Sequence, residues 1–575
     1  MESAAGPPGA RAGALAGALL ALALLGAFHL GWILAGLPFV PFDTFDWLVR
    51  RLPGPVVTFA IAAMVRIIGA LDLGGTAEVA KTAEQGMAVT SLLLAGAAGG
   101  ALLFAVLAAR PEVAARRAGL VLGAATGVPA ALIGYSLTGT ATVSPALASV
   151  WTLAAFLGWG AACGWTFERL ARAEGPRAPA ESATAAGGSA AGSLPAQSAL
   201  AEVVPEGHDL AAPAATASVE RLDRRRFLIR LGGAAAAISV SGTVVGALVG
   251  RDRRGPAVVS DGRWSATHPL PNAGAAVQAA PGTRPELTPL ERHYRIDINL
   301  IPRTLQEQDW RLQVRGLVET PLDLTLDELR AQPPLHQFVT LSCISNEIGG
   351  DLIGTTRWTG LSLRRLLPRL RLRPEATHLR VRAADGFFEI VALDLIRDDE
   401  RVMLAYAWDG VPLLPQHGFP LRIYIPDRYG MKQPKWITAI EAIGAWEPGY
   451  WVVRGWDREA RMRATSVIDT VAVHAATTDG SGRRLVPIGG IAHAGARGIS
   501  RVEVQVDGGP WQPARLRDPL SGTTWVIWRY DWPFTPGTHT LAVRCTDGEG
   551  LGQIVEPAPP QPSGATGVHR RRVRL

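Results

Sequence analysis

The chain has 575 residues, a formal net charge of +7 and a positive mean hydropathy. It is too long for one compact domain; its apolar excess lies before residue 250, and the remainder has the composition of an ordinary globular sequence. The positive charge is modest and scattered, with no basic run interleaved with aromatics, which argues against nucleic acid as a partner, and three cysteines cannot make a disulfide framework.

Five apolar stretches come first, at about 12–37, 55–71, 86–109, 118–138 and 145–167. Most are long enough to cross a hydrocarbon core of about 30 Å, although Arg66 interrupts the second. A sixth runs from about Phe227 to Val249. Arg50 and Arg51, then Arg110, Arg116 and Arg117, then Arg169 and Arg172 follow alternate members of the series. Positive loops stay in the cytoplasm, so this pattern places the N-terminus outside, residues 168–226 inside and everything after residue 250 on the outer face. The expected location is therefore the cell membrane, multi-pass, with the second half of the chain extracytoplasmic. The five-helix block contains only His29, so transmembrane haem with paired histidine ligands is not expected. Cys163, inside the fifth stretch, reads as small apolar filler.

Residues 171–222 are rich in Ala, Gly, Ser and Pro and read as a flexible cytoplasmic linker. It runs into "DRRRFLIRLGGAAAAISV", where Arg224, Arg225, Phe227 and Leu228 before a mild apolar run resemble a twin-arginine export signal; the alternative is a plain positive-inside anchor at 223–250. A second Pro/Gly/Ala-rich linker covers 251–288.

The texture then changes. "WRLQVRGLV" alternates as a strand, "TLDELRA" opens as a capped helix, and "HQFVTLSC" is a strand that delivers Cys343 at its end. Short strands and helices continue, an α+β pattern assigned to a domain at 289–462. From there to residue 575 "RVEVQVDGG", "TTWVIWRYDW" and "THTLAVRCTDGEG" alternate between Gly and Pro turns, which predicts an all-β, immunoglobulin-like sandwich with Cys545 as a buried structural thiol. The fold class expected overall is multi-domain: an N-terminal α-helical transmembrane bundle over 1–170, the sixth helix at 223–250, the α+β domain and the sandwich.

Cys343, in "TLSCISNEIGG", has three readings. It is a nucleophile with His336 or His417 as a distant partner, a buried structural thiol, or a soft metal ligand whose companions come from an organic cofactor. A second stretch, "QHGFPLRIYIPDRYGMKQPKWITAIE", holds two of the three lysines in a chain where Arg does nearly all the cationic work. A Lys kept in such a composition points to a site needing a compact ammonium. His417, Arg422 and Lys435 together suit an anion such as a phosphate; the alternative is a surface hairpin of solvated cations.

The order "LSCISN", then "HGFPLRIYIPDRYGMKQPKW", then "VEVQVDGGPWQPA" resembles the sulfite oxidase family of molybdenum enzymes over roughly 285–575. That resemblance implies a Mo-molybdopterin cofactor with Cys343 as its metal ligand, and His417, Arg422 and Lys435 on the pterin phosphate. Asp385 in "AADGFF" and Tyr294 and Arg295 in "HYRID" join the implied cofactor contacts, and Arg295, Asn346 and Trp456 join Cys343 as implied catalytic residues. It also implies a homodimer through the C-terminal domain. Two departures stand out. Where sulfite oxidases follow the cysteine with two arginines, this chain has Glu347 and Ile348, and Trp456 stands in the place of the family's active-site tyrosine. A carboxylate beside the metal repels sulfite, which favours a neutral S-oxide or N-oxide. The expected function is membrane-anchored oxygen-atom transfer on a small sulfur- or nitrogen-oxo substrate, with a cytochrome- or quinone-linked redox partner. The alternative is a membrane-tethered binding or adhesion module that retains the fold without catalysis.

Overall fold

The computed structural model describes residues 7–71, 75–136, 140–172, 229, 232–233 and 269–575. Nearly all of the expected linker at 171–222 falls outside these residues, as does the twin-arginine segment at 223–250 apart from three isolated positions. Six helices come first: α1 (Ala10–Ala35), α2 (Val40–Arg51), α3 (Gly54–Leu71), α4 (Thr76–Ala109), α5 (Ala115–Ser136) and α6 (Pro145–Arg172). Ala and Leu, the strongest helix formers, dominate the long ones. Four of them, α1, α4, α5 and α6, are long and apolar enough to cross a membrane. The second apolar stretch departs from the expected simple span: α2 and α3 form a pair bent by 118°, which brings the count to five only if the pair is taken as one span. Pro53, between the two helices, cannot donate to α2, and this is where the chain turns.

The described residues fall into two compact units. The first lies within Met1–Leu30, Leu92–Ala131 and Val150–Val245. In it small residues let backbones touch. An added Cβ at Gly100 would meet the Gly13 carbonyl at 2.2 Å, and one at Gly160 would meet that of Gly119 at 2.1 Å.

The second unit lies within Gly31–Ser91, Leu132–Ser149 and Gly246–Leu575, so it joins α2, α3 and the first turns of α4 to the whole of the second half. Ten strands build its α+β part: β1 (Leu312–Gly316), β2 (Leu322–Leu324), β3 (Leu335–Ser342), β4 (Ile353–Ser362), β5 (His378–Ala383), β6 (Phe388–Ala392), β7 (Met403–Trp408), β8 (Val411–Pro412), β9 (Arg422–Tyr424) and β10 (Ile437–Ile443). They form one sheet in the order β2-β1-β10-β5-β6 and another in the order β3-β4-β7-β8, with β9 also on β7. The predicted capped helix is Leu326–Arg330, with a complete capping box between Thr325 and Glu328. One apolar core joins both sheets, with Val314, Val339, Trp408 and Ile423 at its centre.

The remaining strands are β11 (Thr465–Val471), β12 (Thr477–Thr478), β13 (Arg484–His493), β14 (Ile499–Val506), β15 (Gln512–Pro513), β16 (Arg515–Leu516), β17 (Val526–Pro533), β18 (Thr538–Asp547) and β19 (His569–Arg574). They make two antiparallel sheets, β11-β13-β17-β16 and β15-β14-β18-β19, over a common core of Ile488, Val502, Trp528, Val543 and Cys545. Cys545 donates to Gln553 at 3.3 Å within that core. The described part of the second linker, from residue 269, is pinned to these sheets by Arg284–Asp469 at 2.7 Å and Glu286–Arg517 at 2.6 Å.

Candidate active site

Strand β3 pairs with β4 from Leu335 to Ser342, and the chain leaves the ladder at the next residue, Cys343. The thiol is buried, with Ser345 Oγ 3.0 Å from its sulfur. Burial pushes the thiol's pKa up, and the Ser345 contact works against that. The loop after it is closed by Asn346, whose Oδ1 accepts from the Leu352 amide at 2.9 Å. Asn346 therefore turns away from the cavity that Cys343 lines and serves the loop.

A cavity of about 660 Å³ opens over Cys343. Strand β9 begins with Arg422, and the segment before β10 carries Lys435. Gly418, at φ 112°, lets the two cationic stems meet: a Cβ there would lie 3.0 Å from that of Lys435 and 3.2 Å from that of Arg422. His417, Arg422, Lys435, Tyr294 and Asp385 all line the cavity with Cys343, and so does Trp456. Arg295 stands beside it, donating to Asp297 at 2.9 Å, and Lys435 reaches the same carboxylate at 3.1 Å.

The electrostatics of this chamber are unbalanced. Burial works to raise the Asp297 carboxyl, but Lys435, Lys81 and Arg295 overcome it and hold it well below the usual carboxylate range. Burial brings Lys435 down to about 8, with Asp297 opposing, and Arg422 down to about 10. Arg422 makes no ion pair among the described residues; it donates one bond to the His417 carbonyl and lies 4.6 Å over the Trp358 ring. Its Nε is buried without a partner, as are Nη2 of Arg295 and Nε2 of His293. His293 and His417 pack with Trp408 at ring separations of 5.2 and 4.5 Å. Burial, helped by Arg422, lowers His293 to about 3, and burial, helped by His293, takes His417 well below its ordinary value, so both imidazoles are neutral near pH 7. Buried donors left unsatisfied around a cationic chamber cost free energy until an anion meets them.

Several contributors were not foreseen. Lys81 on α4 donates to the carbonyls of Asp297 at 2.9 Å and Asn299 at 3.0 Å. Arg50 on α2 donates to the Asp385 carbonyl at 2.8 Å and to Asn299 Oδ1 at 2.9 Å, and Asn299 in turn donates to the Asp385 carboxylate at 2.9 Å. Asp385 is thus engaged from two sides as a structural bridge at the cavity wall. Lys81 is the third lysine of the chain, so the scarcity that singled out the other two would have found it. Lys432, by contrast, is spent on a buried ion pair with Glu389 at 2.6 Å. His336 bonds Thr359 at 2.8 Å and does not line the cavity.

Among the described residues no group of three or more His, Cys, Asp and Glu side chains is disposed to hold a metal ion. A metal at Cys343 would therefore draw its other ligands from a bound organic group. The residues fit such a group: one buried thiol, a chamber large enough for a heterocycle, and orphaned guanidinium donors beside Lys435 for an anionic end.

Comparison with known proteins agrees. Residues 299–451 match the family model described as oxidoreductase molybdopterin binding domain. Over 147 residues the chain is 31% identical to the uncharacterized oxidoreductase YuiH of Bacillus subtilis (strain 168), covering 26% of this chain and 72% of that protein. It is 27% identical over 325 residues to inducible nitrate reductase [NADH] 2 of Glycine max, covering 45% of this chain and 36% of the plant protein; the chain thus spans only about a third of the nitrate reductases it matches. Among solved structures the sulfane dehydrogenase SoxCD from Paracoccus pantotrophus covers 52% of this chain and 82% of its own, with 22% identity and a TM-score of 0.44.

Proposed function

The chain belongs to the family of oxidoreductases with a molybdopterin binding domain, that of the sulfite oxidases and nitrate reductases, and from that premise we propose that it is a membrane-anchored enzyme transferring an oxygen atom to or from a small sulfur- or nitrogen-oxo substrate. The observation that carries this reading is the pairing of the buried Cys343 thiol with a chamber of unsatisfied cationic donors. When bound, the molybdenum cofactor supplies the two-electron oxo chemistry, and the protein orients it and tunes its surroundings. Cys343 offers the soft thiolate ligand. Arg422, Arg295 and Lys435 would receive the phosphate end, with the neutral rings of His417 and His293 packed beside them adding no charge. Tyr294, packed against His293 at 5.4 Å, closes the pterin side.

Trp456 lines the chamber with an indole N–H that has no partner among the described residues, and a substrate oxo group is a fitting acceptor for it. Burial raises the Glu347 carboxyl, with Arg66 opposing, near the opposite face of α3. This local acid disfavours a small anion and supports a neutral S-oxide or N-oxide over sulfite or nitrate. We infer further that α1, α4, α5 and α6 cross the membrane. Helices α2 and α3, whose Arg50 bonds Asp385 and which lead into Lys81 on Asp297, stay on the side of the second half. The N-terminus then lies on the side opposite to the second half, rather than outside as the charge pattern suggested. In the same reading the second half is extracytoplasmic, export uses the twin arginines, and the C-terminal sheets are an immunoglobulin-type module for homodimerisation. The test is Cys343→Ser. The variant is expected to fold with a wild-type melting profile, to carry pterin with depleted molybdenum, and to lose sulfoxide and N-oxide reduction to background. Full molybdenum content and activity in that variant would overturn the ligand assignment.

A further inference from the structure

The cavity over Cys343 does not end at the cofactor chamber. It continues between α3 and α4, where Ala60, Met64, Ile68, Ala80 and Ala83 form its wall. Its rim carries Val56, Ile67 and Met87, which are 49%, 56% and 48% exposed. Large apolar side chains left open around a cavity mouth mark a surface that meets lipid or an apolar ligand. A second cavity, of about 540 Å³, lies on the other side of α3 and is rimmed by Thr58, Arg66, Glu347 and Gln561. The two share Ile61, Val65, Ser345, Arg454 and Trp456, so α3 separates two approaches to the site: the α3–α4 arm, apolar apart from Lys81 and Glu84 on α4, and the second cavity, which carries Arg66 and Glu347 among apolar residues.

Resting on the oxygen-transfer reading, we propose that the α3–α4 arm of the first cavity binds the ring of a lipid-soluble quinone. Removing an oxygen atom from an oxo substrate as water takes two electrons and two protons. Oxidation of one hydroquinone to its quinone releases that same number of each. The second cavity then serves the water-soluble substrate, and the α3–α4 arm serves the membrane carrier. A soluble one-electron protein carrier would need a polar docking face, whereas this arm opens among the exposed apolar side chains Val56, Ile67 and Met87.

The experiment titrates decylubiquinone into the full chain, loaded with cofactor, in phosphatidylcholine nanodiscs, and follows heat release. Saturable binding at one quinone per chain is expected. Ala60→Trp and Ala83→Trp, each filling the arm from a different helix, should weaken binding at least tenfold. Phe59→Ala, which touches only the second cavity, should not. Molybdenum and pterin contents, measured on the same samples, should match the wild type throughout. Heat that never saturates, or binding that neither tryptophan weakens, would mean that quinone only partitions into lipid or that acyl chains fill the arm, and either overturns the proposal. Saturable, tryptophan-sensitive binding by a protein that never acquires molybdenum would instead sink the oxidoreductase reading and leave the quinone site standing.

Discussion

Two buried arginines of this chain are treated in opposite ways. Arg497, at the junction of the α+β part and the C-terminal sheets, is 8% exposed in its side chain and fully answered. It donates to Asp427, to Asp547 at 2.8 Å and to the Met462 carbonyl at 2.8 Å. Arg422 in the chamber is 4% exposed, donates once to a carbonyl and, among the described residues, pairs with no carboxylate and keeps a buried orphan N–H. A buried charge that is hydrogen-bonded on every side is architecture. One left half-answered next to other cations is a receptor for something the chain itself does not supply.

Neutralising each arginine separates the two cases. Arg497→Met strands Asp547 and should cost about 3–5 kcal/mol of stability, read as a lower urea midpoint, while the folded fraction keeps wild-type cofactor affinity. A loss under 1 kcal/mol would show that the junction does not depend on the pair.

Arg422→Met should invert that outcome. The cofactor-free protein gives up an uncompensated buried charge, so its midpoint should not fall. Cofactor binding loses charge-assisted bonds worth about 1.5–3 kcal/mol, or roughly ten- to a hundredfold in affinity. Retention of pterin under dialysis reads this directly; undiminished retention would remove Arg422 from the phosphate site.

The contrast also shows what the sequence could reveal. Strand alternation placed Cys343 at the end of β3, and the lysine scarcity pointed to Lys435, because both are local or compositional signals. The part played by α2 and α4 was invisible for a physical reason. Arg50 meets Asp385 across 335 residues and Lys81 meets Asp297 across 216, contacts that no window of sequence contains. Asn346 was implied as a site residue by the resemblance, and its Oδ1 accepts from the Leu352 amide within the loop. The bend between α2 and α3 at Pro53 also has a long-range side: the Arg454 backbone packs within 2.8 Å of a would-be Gly54 Cβ.

Acid distinguishes the two regions by a smaller margin. His493, at the junction, is buried, and burial, helped by Arg497, lowers it to about 3. Its unfolded value is near 6.5, so between these two values the unfolded state binds a proton that the folded state refuses. Stability therefore falls as the pH drops below about 6.5, by about 2 kcal/mol for this residue between pH 7 and pH 5. His493→Gln should remove that increment from the pH dependence of the urea midpoint, whether or not cofactor is present. His293 and His417 obey the same sign in the cofactor-free protein, but a phosphate in the chamber stabilises their protonated forms. Loading the cofactor should accordingly flatten the acid sensitivity contributed by the chamber and leave the His493 share untouched. Equal flattening in wild type and His493→Gln would attribute the change to the chamber; flattening lost in His493→Gln would mean the junction, and not the chamber, senses the anion.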